Sequence, residues 1–433
     1  MSAPTTRARV PLHWQIVIAI GLGAFVGYLV GPDARPFGLD VIAFFDFLGT
    51  MFVNALKMLV VPLIVSSIIS GVAGLGSSHD LGRLGGKTLL FYVVTTLAAV
   101  LVALVISNIV KPGIVDGQPA AHLLAFEVSE EEVADKVERG AGSLVNTLLG
   151  IVPPNIIEAA AGNKLLGLVF FSILFGFFLS RTEPETARPV LGFWQGVFTV
   201  MMRMTEFVMK LAPIGVFGLA ARTVAKTGFD AAGPLLTFSV SVIAGLAFYM
   251  IVLLPLLVRF VARMKPWPLF PGMAPALLTA FSTASSSATL AMSLDCLERR
   301  VGVSNRIASF VMPLGASLNH AGSALYECAA AMFIAQAYGL ELTFGHQFTI
   351  VVLALITSMG IAGIPAASLV AIAVILTAVG LPAEAIGVLL VFDRILDMCR
   401  TTVNVFADAC CTVIVARLEG ETGIPKPREE WPQ

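Results

Sequence analysis

The C-terminal stretch "VFDRILDMCRTTVNVFADAC" sets Asp393, Arg394, Asp397, Arg400 and Asp408 into an otherwise apolar run. At 100° per residue, Asp393, Asp397, Arg400, Asn404 and Asp408 fall at roughly 0°, 40°, 340°, 20° and 60°, one polar stripe on one helix face. Each charge near a bilayer centre costs about 2.5 to 3.5 kcal/mol on insertion scales, so the set must be paired or must serve a ligand. A structural ladder of ion pairs accounts for Asp393 and Arg394. The surplus of acceptors on the same face suits a zwitterionic or anionic solute together with cations. Two further groups can do chemistry in apolar surroundings. His320 and Glu327 lie seven residues apart on one helical face, and burial penalises the charged form of a carboxyl, which suits a proton carrier. Histidine titrates near neutrality in water, and for His320 a packed imidazole and a coupling role both stand open.

These residues need spans to hold them. The chain has 433 residues, 57% hydrophobic and 13% charged, far below the soluble norm of about 25% charged. Apolar runs of roughly 18 residues or more recur along it, each long enough for a hydrocarbon core of about 30 Å. It therefore reads as an all-α polytopic membrane protein with a retained first span and no cleaved signal. The five cysteines all sit in or beside apolar segments, which argues against a disulfide framework, and no basic stripe of the kind nucleic acid needs is present.

Lysine and arginine near span ends set orientation. Arg7 and Arg9 precede a span at 12–31; a second, 43–75, returns to Arg83 and Lys87; a third, 88–110, leads to the acidic loop "FEVSEEEVADKVERG" outside. Apolar pieces at 142–160 and 164–180 reach Arg181 and Arg188, and spans at 190–225 and 232–260 follow. Segment 269–297 has basic residues at both ends and a serine-rich tip, "STASSSATL", so it enters and leaves from the cytoplasm as a re-entrant helical hairpin. After a span at 307–338, segment 347–379 has no basic flank and a glycine-proline tip, "MGIAGIPAAS", a hairpin from the outside; the last span, 385–416, ends at Arg417. The pattern is eight transmembrane helices plus two oppositely oriented hairpins. Inverted repeats of this kind place binding sites near the bilayer midplane.

"LKMLVVPLIVSSIISG", "APIGVFGLAA", "SSSATL", "GASLNHAGSALYE" and "DRILDMCRTTVNVFAD", in this order over nearly the whole chain, resemble the glutamate transporter family, the dicarboxylate/amino acid:cation symporters. The resemblance implies an elevator-type homotrimer in the cell inner (plasma) membrane, with both termini cytoplasmic. Residues 1–86 and 111–228 would form a scaffold, the second piece carrying the external acidic loop. Residues 87–110 and 229–418 would form a moving transport domain, and 419–433 a cytoplasmic tail.

The resemblance also implies roles. Arg400 would clamp the side-chain carboxylate of an acidic amino acid, Asp397 would accept its ammonium, and Asn404 and Ser323 would hold its main-chain carboxylate. Thr401 lies beside them, with Ser286 and Ser287 at the inner tip and Gly363 and Ala367 at the outer one. One sodium site would use Asp408, Asn404, Gly315 and Asn319, and a second the carbonyls of Ser317, Ser358, Met359 and Ile361. A third draws on Tyr92, Thr95, Thr96, Asn319 and the aspartate of an N-M-D-G-T motif, which here reads "NHAGS", with His320 for methionine and Ala321 for aspartate. Glu327 matches the proton carrier of proton-coupled members, so protons would replace at least one sodium, with His320 beside it. No resident cofactor is implied beyond co-transported Na+ and H+. A proton-coupled C4-dicarboxylate carrier and a neutral amino acid symporter are the alternatives. The chain lacks H-E-x-x-H and G-x-S-x-G, and is expected not to be an enzyme.

Overall fold

The computed structural model describes residues 12–31, 41–73, 79–124, 152–161, 165–228, 232–358, 367–427, 429 and 431. The acidic loop and the outer hairpin tip, with Met359, Ile361 and Gly363, lie outside the described residues; Ala367 opens a helix, but its side chain is not among those described.

Nearly everything described is helix. α1 (Leu12–Val30), α2 (Val41–Ala73), α5 (Leu165–Leu179), α6 (Pro184–Lys210) and α7 (Ala212–Thr227) form one packed set, with α1 on α7 and α2 on α5, α6 and α7. The short α4 (Ile156–Ala161) leads into α5. α2 carries Pro62 in its interior. Proline there clashes with the preceding turn, and the Ser66 hydroxyl donates to the Pro62 carbonyl at 2.6 Å.

The other set gathers around two helices. α3 (His79–Val110), α8 (Ala232–Phe248) with its continuation α9 (Leu254–Val261), and the helices from α10 (Leu269–Thr283) onward pack about α13 (Ala321–Ala337) and α16 (Leu390–Leu418). Every residue of α13 is buried. Its sequence, "AGSALYECAAAMFIAQA", explains why: alanine, glycine and serine let neighbouring helices approach closely, the usual solution where helices pack inside a membrane. α13 meets α3, α8, α14 (Phe344–Ser358), α15 (Ala367–Ala378) and α16. Three helices are long and apolar enough to cross a membrane among the described residues, Leu84–Val110, Ala232–Val261 and Ala385–Leu418.

Four departures from the sequence expectation have local causes. The span at 190–225 is two helices, broken at Leu211, because Pro213 starts the second more comfortably than it continues the first. The span at 307–338 is also two, α12 (Asn305–Leu318) and α13, parted by Asn319 and His320. The span at 232–260 carries a π-helical turn, Tyr249–Leu253, between α8 and α9. Residues Ile114–Val115 and Gln118–Pro119 pair as a small antiparallel hairpin, an exception to the all-α expectation.

The segment at 269–297 folds as α10 and α11 (Ser286–Asp295), which pack on each other around a turn at Ala284 and Ser285. Ala284 takes a left-handed φ of 51° and Ser285 caps α11, its Oγ accepting the Ala288 N–H at 3.2 Å. Beyond α16, the chain runs back along the root of this pair. Glu419 pairs with Lys87 at 2.6 Å, Glu421 bonds to Ser304, and the Lys426 N–H donates to the Val301 carbonyl at 3.0 Å.

Candidate functional site

The polar stripe of α16 is real and buried. Arg400, 1% exposed, donates from Nη1 to Asp393 Oδ1 at 2.9 Å and from Nε to Asp397 Oδ1 at 3.0 Å. Both carboxylates are placed by helical spacing, one turn and two turns from the arginine. The guanidinium also lies over the Tyr326 ring of α13, 4.2 Å from its centre, a face that attracts cations. Arg394 reaches Asp397 Oδ2 at 3.7 Å, so two arginines and two aspartates form one cluster. Arg400 Nη2 has no hydrogen-bond partner among the described residues. A planar fork held at one edge by fixed acids, with the remaining donor open, is suited to a carboxylate.

One turn along, Asn404 does a different job. Its Oδ1 accepts the Gly322 N–H at 2.7 Å and the Ser323 N–H at 3.3 Å, and its Nδ2 donates to Ser323 Oγ at 3.2 Å. The first N–H groups of a helix have no intrahelical partners, so Asn404 caps α13 from across the interface. A Cβ on Gly322 would lie 2.7 Å from the Arg400 carbonyl oxygen and 3.0 Å from Asn404 Oδ1. Only glycine allows that approach.

At the far end of the stripe, Asp408 Oδ1 accepts Asn319 Nδ2–H at 2.8 Å, while Oδ2 has no hydrogen-bond partner among the described residues. The carboxylate lies against the backbone at Gly315, where a Cβ would sit 2.6 Å from its Cγ. Asn319 Oδ1 accepts the Thr96 hydroxyl at 3.1 Å, with Thr95 Oγ1 at 3.5 Å. Tyr92 turns its hydroxyl to the Val311 carbonyl at 2.6 Å.

The remaining expected residues divide. Thr401 and Ser286 are buried, and α11 packs on α16; Ser287 and Ser317 are exposed. The Ser317 hydroxyl donates to Pro313 within its own helix at 3.1 Å. Ser358 is the last described residue of α14, and its carbonyl accepts His320 Nδ1–H at 3.2 Å. Glu327, fully buried, accepts the Thr357 hydroxyl on Oε2 at 3.0 Å, with Oε1 unpartnered among the described residues.

Sequence reasoning missed Tyr326 and Tyr249. Tyr326 follows Ser323 by one helical turn, a spacing that could have found it. Tyr249 lies in the π turn and donates to the Thr95 carbonyl at 3.0 Å; π turns leave no signal in sequence, though they often mark functional sites. Among the described residues, Tyr326 Oη and Glu327 Oε1 on α13, His320 Nε2 just before it, and Arg400 Nη2 and Asp408 Oδ2 on α16 have no hydrogen-bond partner.

The profile of the sodium:dicarboxylate symporter family matches residues 12–418. The chain belongs to this family. The glutamate transporter resemblance of its motifs agrees with that membership. This symporter is 34% identical over 409 residues to the proton/glutamate-aspartate symporter of Escherichia coli, covering 94% of this chain and 93% of that one. It is 35% identical to the proton/sodium-glutamate symport protein of Bacillus subtilis, over 96% of this chain and 94% of the other. With excitatory amino acid transporter 3 of Mus musculus it shares 33% identity, over 94% and 86%. The likeness therefore covers both helix sets and the whole polar stripe.

Proposed function

We propose that this family member is a secondary active symporter that takes up aspartate or glutamate, driven by sodium, protons or both, and performs no covalent chemistry. The observation that carries the reading is the pair Arg400 and Asp397: a guanidinium with one open donor and a carboxylate three residues away, buried on one face. Arg400 Nη2 binds the substrate's side-chain carboxylate, and Asp397 accepts its ammonium. The main-chain carboxylate goes to Ser323, Asn404 and the amides at the start of α11, where a helix N-terminus favours an anion. The names of the relatives point the same way, since each curated relative compared above is named for glutamate, aspartate or excitatory amino acid transport.

Cations enter at the far end of the stripe. Asp408, with Asn319, Asn404 and the backbone at Gly315, offers hard oxygens to sodium. Glu327, fully buried and bonded by the Thr357 hydroxyl, carries the proton. In the membrane, two oppositely entering hairpins, α10–α11 and α14–α15, flank the site among eight spans. α1, α2 and α4–α7 act as the scaffold of a homotrimer; α3 and α8–α16 move as the elevator through the cell membrane. The chain's separation into two packed sets supports that division. A C4-dicarboxylate has no ammonium to meet Asp397, and a neutral amino acid has no second carboxylate for Arg400, so both alternatives leave one pole of the site unused.

Competition uptake in proteoliposomes tests the reading. Labelled aspartate or glutamate should accumulate under an imposed sodium or proton gradient and be displaced by the other acidic amino acid. Accumulation of succinate or serine in preference to both would overturn it. Glu327→Gln should transport while losing its response to an inward proton gradient: the wild-type carboxyl loads a proton on the acidic side and releases it on the alkaline side, so uptake rises as the outside is acidified, and an amide cannot follow.

A further inference from the structure

The segment that follows α16, 419–431, is fastened along its described length to the helices beneath it. Arg417, in the last turn of α16, donates from Nε to the Ala262 carbonyl at the close of α9, at 3.3 Å, and from Nη1 to the Glu421 carbonyl at 2.8 Å. Glu419 pairs with Lys87 of α3 at 2.6 Å. From there the chain crosses the open end of the α10–α11 pair. Glu421 accepts the Ser304 N–H at 3.1 Å and also its hydroxyl, Ile424 is buried in the main hydrophobic cluster, and the Lys426 N–H donates to the Val301 carbonyl at 3.0 Å.

Two helices joined by a turn at one end can splay at the other unless something bridges them. α11 runs out through a π-helical turn, Cys296–Val301, after which Gly302 reverses the chain with a φ of 90°. The last carbonyls of a helix have no intrahelical donors, and that of Val301 is served by Lys426. A Cβ on Gly302 would lie 2.7 Å from the Lys426 side chain, so the lysine stem rests on bare backbone. On the facing leg, a Cβ on Gly272 of α10 would lie 3.2 Å from Val301 Cγ2 and 3.8 Å from the Trp431 ring, which places the tryptophan over the point where the two legs meet. The same ring lies 5.8 Å from the Arg300 guanidinium, within the range of a cation–π contact, and its Nε1–H donates to the Lys426 carbonyl at 3.4 Å.

We propose that segment 419–431 is a strap that keeps the open end of the α10–α11 pair shut: Glu421 and Lys426 hold the leg that leads into α12, Trp431 closes that leg against α10, and Lys87 anchors the strap to α3. The inference rests on the symport reading above, in which this pair is the inner hairpin and its tip, with Ser286, flanks the substrate. A hairpin tied at its root moves as one block with the rest of its helix set. Solutes then do not slip past it into the cytoplasm, and what has been accumulated is kept.

The native thiol of Cys296 reads the strap. It is fully buried in the π-helical turn on which α10 packs, and a buried thiol reacts only when its surroundings open. In the full-length protein in detergent, maleimide labelling of Cys296, followed peptide by peptide by mass spectrometry, should be slow. Glu421→Ala combined with Trp431→Ala should speed it about tenfold or more, while Cys328, buried in α13, keeps its wild-type rate; general unfolding would expose both. Lys87→Glu should also speed labelling of Cys296, and adding Glu419→Lys should slow it again. In proteoliposomes the Glu421→Ala, Trp431→Ala variant should keep its initial rate of aspartate uptake but settle at a lower plateau, because a loosened hairpin leaks; a mere shortage of folded transporters lowers the rate and leaves the plateau. Labelling of Cys296 at the wild-type rate in that variant overturns the proposal, as does an unchanged plateau. Should the variant label Cys328 as well, the charge pair decides, and a swap that restores nothing overturns the proposal. Failure of the symport reading is separate: the wild type would then accumulate no acidic amino acid under any gradient, while the Cys296 labelling still decides on the strap.

Discussion

The two ends of the polar face of α16 solve the same problem in opposite ways. Around Arg400, the carboxylates of Asp393 and Asp397 each meet a guanidinium, at 2.9 and 3.0 Å. Eight residues on, about 12 Å along the helix, Asp408 meets only the neutral amide of Asn319 and, among the described residues, no cation. Both ends are buried. Burying an ion pair is tolerable when its geometry is good, whereas a lone buried charge is costly. In the function proposed above, that difference separates a substrate site, shaped in advance by its own ion pairs, from an ion site completed by its cargo.

Removing Arg400 should break the comparison most severely. Arg400→Ala takes away the open donor and leaves Asp393 and Asp397 without their shared partner, a loss on the order of 3–5 kcal/mol for a buried pair. Uptake of aspartate should fall about a hundredfold or more, a factor that matches the lower end of that range. The melting temperature should fall as well, which scanning calorimetry in detergent would detect. At the other end, Asp408→Asn should keep the fold, since the amide can still bond to Asn319. Uptake driven by a sodium gradient should then drop to the level seen without sodium, measurable by replacing sodium with choline. A smaller effect should follow at the joint between the ends. Gly322→Ala brings a methyl to 2.7 Å from the Arg400 carbonyl, overpacking that costs about 1–3 kcal/mol. It should raise the KM for aspartate about tenfold, the equivalent of about 1.4 kcal/mol, while sodium activation measured at saturating substrate keeps its midpoint.

Much of this was legible in the sequence for a physical reason. Charges are so costly in an apolar helix that Asp393, Asp397, Arg400 and Asp408 declare themselves, and a 3.6-residue period fixes which of them share a face. The serine-rich tip at 284–287 was legible from its flanking charges and turn residues, and it became the turn between α10 and α11. What could not be read depends on residues far apart in the chain. The cap that Asn404 places on Gly322 and Ser323 joins positions 81 and 82 residues apart, and no local pattern announces it. The break at Asn319 and His320 lay inside a run apolar enough to look continuous, although Pro313 and Gly322 flank it. Tyr249 owes its contact with Thr95 to a π turn. The side chains of Ser287 and Ser317 stand exposed, a placement set by which helix face each occupies.

In the proposed site, recognition of an amino acid depends most directly on Asp397 as the acceptor for its ammonium group. The decisive measurement is uptake of labelled aspartate and of labelled succinate by proteoliposomes containing Asp397→Ala, beside the wild type under the same gradients. Loss of a charge-assisted bond of about 1.5–3 kcal/mol should cut aspartate uptake by a factor of about 10 to 150, while succinate uptake, which never used that carboxylate, stays level or rises. An equal loss for both substrates, or no loss for aspartate, would contradict it.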